Sequence, residues 1–342
     1  MLRTAAGAAA ALVLATGAPP AGAQDAELPV AGTFSFHVRN DDSQPLAYGA
    51  VHAVRRVPGG TAVYYSVGVP EGQTLRANEF MPVPGLGVDY RAVDLAGIAL
   101  VDTDGLRYYQ PMVSRDGCLC PEVAQFGRTS GQLRVGWAVV PPLPANVTTV
   151  SVDLGYGVQV EDVPVGNGAL EPAVAQASTV LGEGWPALPD QAAVEAVPDP
   201  DRYVRSLVRN RADLDRVVTT AERSGQVAES LSSDVLFPVD SAVLTPRSRA
   251  TLAALAERLR TRAAGAVTVT GHADSTGTPA RNLPLSLARA RAVRDALRAA
   301  GVDAPLQATG VGEREPVADN STEQGRRLNR RVTVSYPVKG DA

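Results

Sequence analysis

The C-terminal third of this 342-residue chain alternates between two hydrophobic periods, and this alternation limits the possible folds more than any other feature. Residues 266–273 (AVTVTGHA), 305–312 (PLQATGVG) and 330–336 (RRVTVSY) alternate with a period of two, as strands do, and residues 232–239 (SSDVLFPV) are a further strand candidate. Between them, apolar residues recur every three to four positions, which predicts helices. Strands interleaved with helices predict an α/β sandwich over residues 229–338, with a mixed sheet and the helices on one face.

Capping residues predict where these helices begin and end. Thr245 is the expected N-cap of the first helix, with Pro246 at its first helical position and Gly265 just past its end. Ser286 is expected to cap a second helix that ends at Gly301. Residues 321–329 (STEQGRRLN) predict a capped turn or a short helix. Two long helices are therefore expected between the strands.

Residues 24–165 have the pattern of many short strands. In TFSFHVRN, for example, Phe34, Phe36 and Val38 fall on one face. Turn signals such as Pro58-Gly59-Gly60 separate strands of this kind. The pattern predicts an antiparallel β-sandwich, so the expected fold class of the whole chain is α+β.

Residues 166–228 differ from both neighbours in composition. They are rich in proline, alanine and acidic residues, which predicts a linker between two domains. Within this stretch, RYVRSLVRNRADLDRVVTTAERSG predicts a helix with Leu207, Leu214 and Val218 on its inner face.

Residues 1–23 have the features of a secretory signal peptide. Arg3 supplies a positive charge, an Ala/Leu/Val run ends near Thr16, and a small-residue triplet precedes Gln24. The apolar run is shorter than the roughly 20 residues that a membrane-spanning helix needs. A short membrane anchor is the alternative, since alanine-rich segments are weakly apolar. We therefore expect an exported protein of the cell envelope, in a periplasm or a Gram-positive cell wall, with outer-membrane association as a further alternative.

The charge of the chain is unevenly distributed. From Glu229 onward there are 16 basic and 12 acidic residues, a net charge of +4, whereas the whole chain has −4, so residues 1–228 carry −8. The arginines of the C-terminal part do not form one continuous run, and export argues against a nucleic-acid partner. An acidic ligand of the envelope is the expected partner of this part.

The two cysteines, Cys118 and Cys120, are separated by one residue. Two thiols alone cannot form a four-ligand zinc site. In an oxidising compartment they can form a disulfide with each other, and intermolecular pairing or free thiols are the alternatives. Redox catalysis is not expected, because its usual spacing is C-x-x-C.

One arginine of the second predicted helix lies on its apolar face. Stepping back four residues from Val293 reaches Arg289, which continues the row of Val293 and Leu297. A guanidinium there needs a partner, because an unpaired buried charge is costly. Asp274, which follows the strand AVTVTGHA, is the expected neighbour. The two residues either form a structural ion pair or share a ligand that carries both a carboxylate and an ammonium group.

The sequence has no pattern typical of a catalytic or metal-binding site. His37, His52 and His272 are scattered, and His272 lies on a predicted strand, where packing or hydrogen bonding is the expected role. No G-x-S-x-G, H-E-x-x-H or phosphate-loop motif occurs. We therefore predict no cofactor, no metal site and no enzymatic activity.

Three segments, in this order, resemble the OmpA-like C-terminal domain, the peptidoglycan-associated module, over about residues 230–338. FPVDSAVLTP resembles the family's F-x-x-D-S-A-x-L-x-P, and GHADSTGTPARNLPLSLARARAV resembles G-H-T-D-x-x-G…N…L-S-x-x-R-A-x-x-V. GVGEREPVADNSTEQGRRLNRRV resembles G-x-G-E-x-x-P-x-x-x-N-x-T-x-x-G-R-x-x-N-R-R-V. The resemblance leaves residues 24–228 unexplained.

The resemblance implies that this domain binds the meso-diaminopimelate of a peptidoglycan stem peptide without covalent bonds. The family's ligand aspartate falls on Asp274, and the arginine of L-S-x-x-R falls on Arg289. Supporting positions of the family's site fall on Thr276, Asn282, Asp240 and Arg330.

Three positions depart from the family pattern. Ala273 replaces the usual threonine beside the ligand aspartate, where little effect is expected. Pro238 stands where an acid is common, which is expected to weaken one hydrogen bond at the rim of the site. Pro284 is expected to tighten the approach to the second helix.

These observations predict a non-catalytic, exported envelope protein that binds peptidoglycan through diaminopimelate. Another envelope protein is a candidate partner of the N-terminal β-domain. A cell-wall enzyme targeted by the OmpA-like domain is one alternative, and a membrane-anchored, stator-like envelope protein is another.

Overall fold

The computed structural model describes residues 28–38, 41–76, 90–126, 128–155, 157–213 and 217–338. The predicted signal peptide and Leu214 lie outside the described residues. Among the helices of the described ranges, none is both long and apolar enough to span a membrane.

The described chain is built mainly from strands. In chain order the strands are β1 (Gly32–His37), β2 (Leu46–Val57), β3 (Gly60–Gly68), β4 (Leu75–Arg76), β5 (Ala99–Asp102), β6 (Arg107–Tyr109), β7 (Val113–Ser114), β8 (Gly117–Cys118), β9 (Arg128–Thr129), β10 (Arg134–Val140), β11 (Thr149–Asp153), β12 (Gln159–Asn167), β13 (Ala173–Val174), β14 (Thr179–Val180), β15 (Trp185–Pro186), β16 (Val204–Ser206), β17 (Arg209–Ala212), β18 (Val218–Arg223), β19 (Gln226–Ser232), β20 (Val267–His272), β21 (Leu306–Gly312) and β22 (Arg331–Pro337). The helices are α1 (Val123–Phe126), α2 (Gln191–Glu195), α3 (Ser233–Leu236), α4 (Ser248–Arg262), α5 (Pro279–Ala299) and α6 (Glu323–Asn329), and Pro200–Tyr203 forms a 3₁₀ turn.

The N-terminal strands form one large curled sheet, so the predicted two-sheet sandwich is not confirmed. The strand order is β14-β10-β3-β2-β12-β11-β5-β6-β16, and β1 also pairs with β2. The 12-residue strand β2 explains this arrangement. Its first half pairs antiparallel with β1, and Val54–Arg56 in its second half pair in parallel with β12. Because β2 pairs with both, the strands join into one sheet.

Both faces of this sheet are covered by apolar side chains. All nine residues of β3 are buried, and their alternate side chains belong to two different cores. Val63 and Tyr65 lie in one core, whereas Tyr64 lies in the other with Trp185 and Tyr203. The ring centroids of Tyr64 and Trp185 are 5.9 Å apart in an edge-to-face arrangement. Most of the segment predicted as a linker therefore packs on the N-terminal sheet.

The predicted helix over residues 202–225 is wrong. These residues contain β16, which pairs with β6, followed by β17 and β18. Strands β18 and β19 form a hairpin whose turn contains Gly225, with a positive φ of 71° that suits glycine. The apolar residues of this stretch are spaced closely enough to mimic a helix, but strand pairing determines its conformation.

The C-terminal domain has the expected mixed sheet with helices on one face. Its strand order is β17-β18-β19-β22-β20-β21, and β20 and β21 form the parallel pair. Helices α4 and α5 pack on this sheet in one core. That core includes Leu231, Leu255, Leu259, Val269, Val293, Leu297, Val332 and Val334.

Three predicted boundaries in this domain need correction. Residues 233–236 form the short helix α3 and not part of a strand. Helix α4 begins at Ser248, and the hydroxyl of Thr245 accepts from the Ser248 amide at 3.2 Å in the preceding turn. Helix α5 begins at Pro279, so Ser286 and Pro284 lie inside it, and the Ser286 hydroxyl instead accepts from the Gly312 amide at 3.0 Å.

Candidate functional site

The candidate site forms where the loop after β20 meets α3, α5 and the end of α6. Two glycines let α5 lie unusually close to the sheet. A Cβ at Gly271 would lie 2.0 Å from the carbonyl oxygen of Ser286, and one at Gly310 would lie 2.4 Å from the amide nitrogen of Leu287. Larger residues at these positions would push α5 away from β20 and β21, so the glycines help to fix the position of the Arg289 side chain.

Arg289 is buried, as its helical phase predicts, with 6% of its surface exposed. Its Nε donates to the carbonyl oxygen of Ser241 at 2.9 Å, and its guanidinium carbon lies 5.3 Å from the centre of the Phe237 ring. Burial lowers the pKa of Arg289, while Asp234 and Asp240 act in the opposite direction. Among the described residues, no carboxylate lies within 4.0 Å of this guanidinium. Arg289 is therefore a buried cation with hydrogen-bonding capacity to spare.

Asp274 is also 6% exposed, and its carboxylate is held by two donors. Nη1 of Arg330 donates to Oδ2 at 2.7 Å, and the amide of Thr276 donates to Oδ1 at 2.9 Å. Burial alone would raise the pKa of Asp274, but the hydrogen bonds from Arg330 and Thr276 outweigh it and the pKa lies below its ordinary value. The carboxylate is therefore ionised at neutral pH.

Arg330 is the ion-pair partner of Asp274, whereas the sequence suggested Arg289 for that role. Arg330 also holds Asp234 with two hydrogen bonds of 2.9 Å and Glu323 with one of 3.1 Å. The hydrogen bonds that Arg330 donates to Asp234, followed by those to Asp274 and Glu323, raise its pKa despite partial burial. The structural ion pair considered as an alternative thus exists, but on a different arginine.

Asp234 and Glu323 are members of the site that sequence reasoning missed. Asp234 lies in α3, in a stretch predicted to be a strand, and Glu323 is the first residue of α6. Both carboxylates contact Arg330, not Arg289. The N-cap at Thr322 gave a usable signal for Glu323, because acids are favoured in the first turn of a helix.

Asn282 and Thr276 shape the loop that carries Asp274. The Asn282 side chain is buried, and its amide nitrogen lies 2.7 Å from Oε2 of Glu313, 3.1 Å from the carbonyl oxygen of Thr276 and 3.2 Å from that of Asp274. Thr276 is exposed and contributes its backbone amide to Asp274. Both residues hold the carboxylate of Asp274 in position.

Asp240 lies at the rim of the site. It has a positive φ of 54°, which aspartate tolerates better than most residues. Its carboxylate forms an ion pair with Arg281 at 2.6 Å, and both side chains are more than half exposed. Asp240 therefore contributes negative potential near Arg289 while remaining in solvent.

Two cavities in the described part of the chain lie away from this site. A cavity of about 390 Å³ on the C-terminal sheet and a cleft of about 810 Å³ between the two sheets are lined by none of Asp274, Arg289 or Arg330. The candidate site is thus distinguished by its charges and not by its depth. We base it on the buried charges, because recognition of a charged ligand depends on them and can occur at an open recess.

Other predicted residues lie apart from this site. Cys118 and Cys120 form a disulfide with a Cα–Cα distance of 5.1 Å. His272 is buried, and burial, followed by the charge of Arg331, lowers its pKa to about 4, so its ring is neutral at neutral pH. Within the described ranges, no group of three histidine, cysteine, aspartate or glutamate side chains is placed to hold a metal ion.

The C-terminal domain matches a known family. Residues 236–330 match the model of the OmpA family. Outer membrane porin F of Pseudomonas aeruginosa is 45% identical over 108 residues, which cover 31% of this chain and 31% of that protein. The peptidoglycan-binding protein ArfA of Mycobacterium tuberculosis is 40% identical over 101 residues, which cover 29% of this chain and 31% of that protein.

A solved structure is also similar in part. The cell wall anchor of the T6SS from Pseudomonas aeruginosa is 33% identical, and the match covers 36% of this chain and 90% of that chain with a TM-score of 0.34. The chain spans about a third of the length of the two curated relatives above.

Proposed function

Because residues 236–330 are an OmpA-family domain, we propose that the C-terminal domain binds peptidoglycan non-covalently through the diaminopimelate of the stem peptide. One relative, 40% identical over 101 residues, is a peptidoglycan-binding protein. In this proposal the whole chain is an exported protein of the cell envelope and acts by binding rather than catalysis.

The buried guanidinium of Arg289 is the observation that carries the proposal. An arginine that is 94% buried, without a carboxylate within 4.0 Å among the described residues, bears a cost that a bound anion would remove. Its Nε is engaged by Ser241, which fixes the plane of the guanidinium and leaves its two Nη groups to donate. A ligand carboxylate is suited to accept two hydrogen bonds from such a fork.

Asp274 supplies the complementary charge for an ammonium group. Its carboxylate has about four lone-pair positions, of which Arg330 and Thr276 occupy one each. An ammonium group can therefore bind without displacing Arg330. The free end of diaminopimelate carries both an ammonium and a carboxylate on one carbon, which suits a site where the charges of a carboxylate, Asp274, and a guanidinium, Arg289, interact.

Sedimentation with insoluble peptidoglycan tests this proposal. We expect the full chain to sediment with sacculi that contain diaminopimelate, and Arg289→Ala and Asp274→Ala each to weaken binding by about 30-fold or more, since losing one partner of a buried charge pair costs about 2–5 kcal/mol. Arg291→Ala is the matched control, because Arg291 is on the same helix but exposed. Wild-type affinity in both site variants, with folding verified, would contradict the proposal.

Export to the cell envelope and the absence of catalysis are parts of the same proposal that can be tested separately. If residues 1–23 are a cleaved signal peptide, sequencing the mature protein from the envelope fraction will find its N-terminus at or near Gln24. An uncleaved N-terminus would favour the anchored, stator-like alternative. Loss of turbidity from purified walls incubated with the protein would instead favour a cell-wall enzyme targeted by this domain.

A further inference from the structure

A second cavity lies on the other face of the C-terminal sheet. Leu231 and Val332 point into the core under the helices, so the alternating residues Ser230, Ser232 and Arg331 lie on the opposite face. There, strands β18 and β19 and helix α6 enclose a cavity of about 390 Å³. Its polar lining consists of Thr219, Ser230, Ser232, Gln324, Arg327 and Arg331.

This lining contains two arginines and no acidic residue. Arg331 is 8% exposed, and its partners are the carbonyl oxygens of Glu315 at 3.1 Å and Asn329 at 3.5 Å. Among the described residues, no carboxylate lies within 4.0 Å of Arg331 to balance its charge. Burial lowers the pKa of Arg331, while the more distant charge of Glu315 acts in the opposite direction. The cavity therefore has a buried positive charge without an ion-pair partner among the described residues.

Further donors surround this charge. Arg327 projects from α6, is exposed, and forms no ion pair with a described residue. The hydroxyl of Ser232 is buried and has no hydrogen-bond partner in the part of the chain that the structure describes, and the hydroxyl of Ser230 shares a hydrogen bond of 2.9 Å with that of Thr333. Ser232 is the cross-strand neighbour of Arg331, so one ligand oxygen placed here could accept a hydrogen bond from the Ser232 hydroxyl and pair with the guanidinium.

We propose that this cavity binds a phosphate group. Two guanidinium groups and at least one free hydroxyl offer more donors than the two oxygens of a carboxylate can use, whereas a phosphate presents three or four acceptor oxygens. The group belongs either to inorganic phosphate or to a phosphate ester such as a lipid headgroup. The cavity is separate from the Asp274 site. Although Arg330 and Arg331 are consecutive, Arg330 contacts Asp274, whereas Arg331 contacts the carbonyl oxygen of Glu315.

Calorimetry on the full chain tests the proposal at constant ionic strength, with inorganic phosphate, glycerol phosphate and acetate as ligands. We expect both phosphates to bind more tightly than acetate, and Arg327→Ala to weaken phosphate binding about tenfold, equivalent to about 1.4 kcal/mol. Arg249→Ala, at an exposed position of α4, removes the same charge elsewhere and is expected to have no effect. Ser232→Ala is a second test that leaves both arginines in place, and a measurable loss of affinity is expected.

Two further measurements identify the source of the phosphate and keep the two proposed sites distinct. Sedimentation with vesicles of phosphatidylglycerol, compared with phosphatidylcholine, supports a lipid headgroup if only the former bind, and a soluble phosphate if neither binds while calorimetry is positive. Asp274→Ala should retain phosphate binding, and Arg327→Ala should retain peptidoglycan binding. Absence of phosphate binding in the wild type, equal affinity for acetate, or equal effects of Arg327→Ala and Arg249→Ala would overturn the proposal.

Discussion

Two clusters of buried charge in the C-terminal domain differ in whether their charges are balanced. In the Glu229 cluster (Glu229, Arg258 and Tyr336), the carboxylate is 2% exposed and accepts hydrogen bonds from Nε and Nη2 of Arg258 and from the Tyr336 hydroxyl at 2.8 Å. Each charge in this cluster has its counterion. Nothing in the cluster needs a ligand, and its role is structural.

The Asp274 cluster (Asp234, Asp274, Arg289 and Arg330) contains one arginine with carboxylate partners and one without them among the described residues. Arg330 is paired with Asp234 and Asp274, as Arg258 is with Glu229. Arg289 is buried to a similar degree as Asp274, but its partners within the described ranges are a backbone carbonyl and an aromatic ring. The comparison teaches that burial of a charge does not by itself indicate a binding site, whereas burial without a counterion does.

The largest expected effect is on stability and belongs to the Glu229 cluster. Glu229→Gln leaves Arg258 without its counterion and is expected to lower the free energy of unfolding by about 3 kcal/mol, at the low end for a broken buried pair because Arg258 is partly exposed. Urea denaturation measures this loss. Peptidoglycan binding of the folded variant should be unchanged, and a matching loss of binding would mean that the two clusters do not differ in function.

Replacing Arg330 should give the next largest effect and change the titration of Asp274. Arg330→Met removes a hydrogen bond and a positive charge that lower the pKa of Asp274, while the effect of burial remains, so this pKa should rise. A stability loss of about 2 kcal/mol is expected at neutral pH, where the buried carboxylate is left ionised. NMR titration of the Asp274 side-chain carbon, compared with the wild type, measures the shift. An unchanged pKa would show that Arg330 is not the main partner.

A smaller effect on stability and on peptidoglycan binding is expected when the pH is lowered. Because the native pKa of Asp274 lies below its ordinary value, the ionised side chain stabilises the fold above about pH 4, and this contribution is lost as pH falls through the native pKa. Asp274 must also be ionised to bind an ammonium group, so peptidoglycan binding should weaken over the same acidic range. Asp274→Asn should make stability less dependent on pH there. An equally steep dependence in this variant would assign the effect to another acid.

The smallest effect is expected at the rim. Asp240 and Arg281 form an exposed pair, and such pairs are worth at most about 1 kcal/mol. Asp240→Asn should therefore change the unfolding free energy by less than about 0.5 kcal/mol and peptidoglycan binding by less than about threefold. Salt titration is the control, because a rim charge should act through screened, long-range attraction. A loss as large as that of Arg289→Ala would place Asp240 inside the site.

The helical phase of α5 was enough to identify Arg289 from the sequence, because a period of 3.6 fixes which residues share a face. The helical phase could not predict that Arg289 forms no ion pair with any residue that the structure describes. Asp274 pairs with Arg330, 56 residues later in the chain, and Asp234 becomes a neighbour only because residues 233–236 turn into a short helix. Contacts between elements so distant in sequence depend on the assembled sheet.

Strand pairing between distant segments was equally hard to predict from the sequence. Alternating residues in β20 and β22 predicted the core of the C-terminal domain, and the family motifs predicted which residues its candidate site would contain. The half-exposed strands β17 and β18 have no clear apolar alternation, so the sequence suggested a helix there. The parallel pairing of β2 with β12 joins residues more than 100 positions apart, and this pairing makes one sheet where two were expected.

The most direct test of the central claim compares two ligands that differ by one carboxylate. Calorimetry with a stem peptide containing meso-diaminopimelate, and with the same peptide containing lysine, isolates the group proposed to bind Arg289. The wild-type protein should bind the diaminopimelate peptide at least about tenfold more tightly, and Arg289→Ala should bind both peptides equally weakly. Equal affinity of the wild type for both peptides, or a preference that persists in Arg289→Ala, would contradict the account.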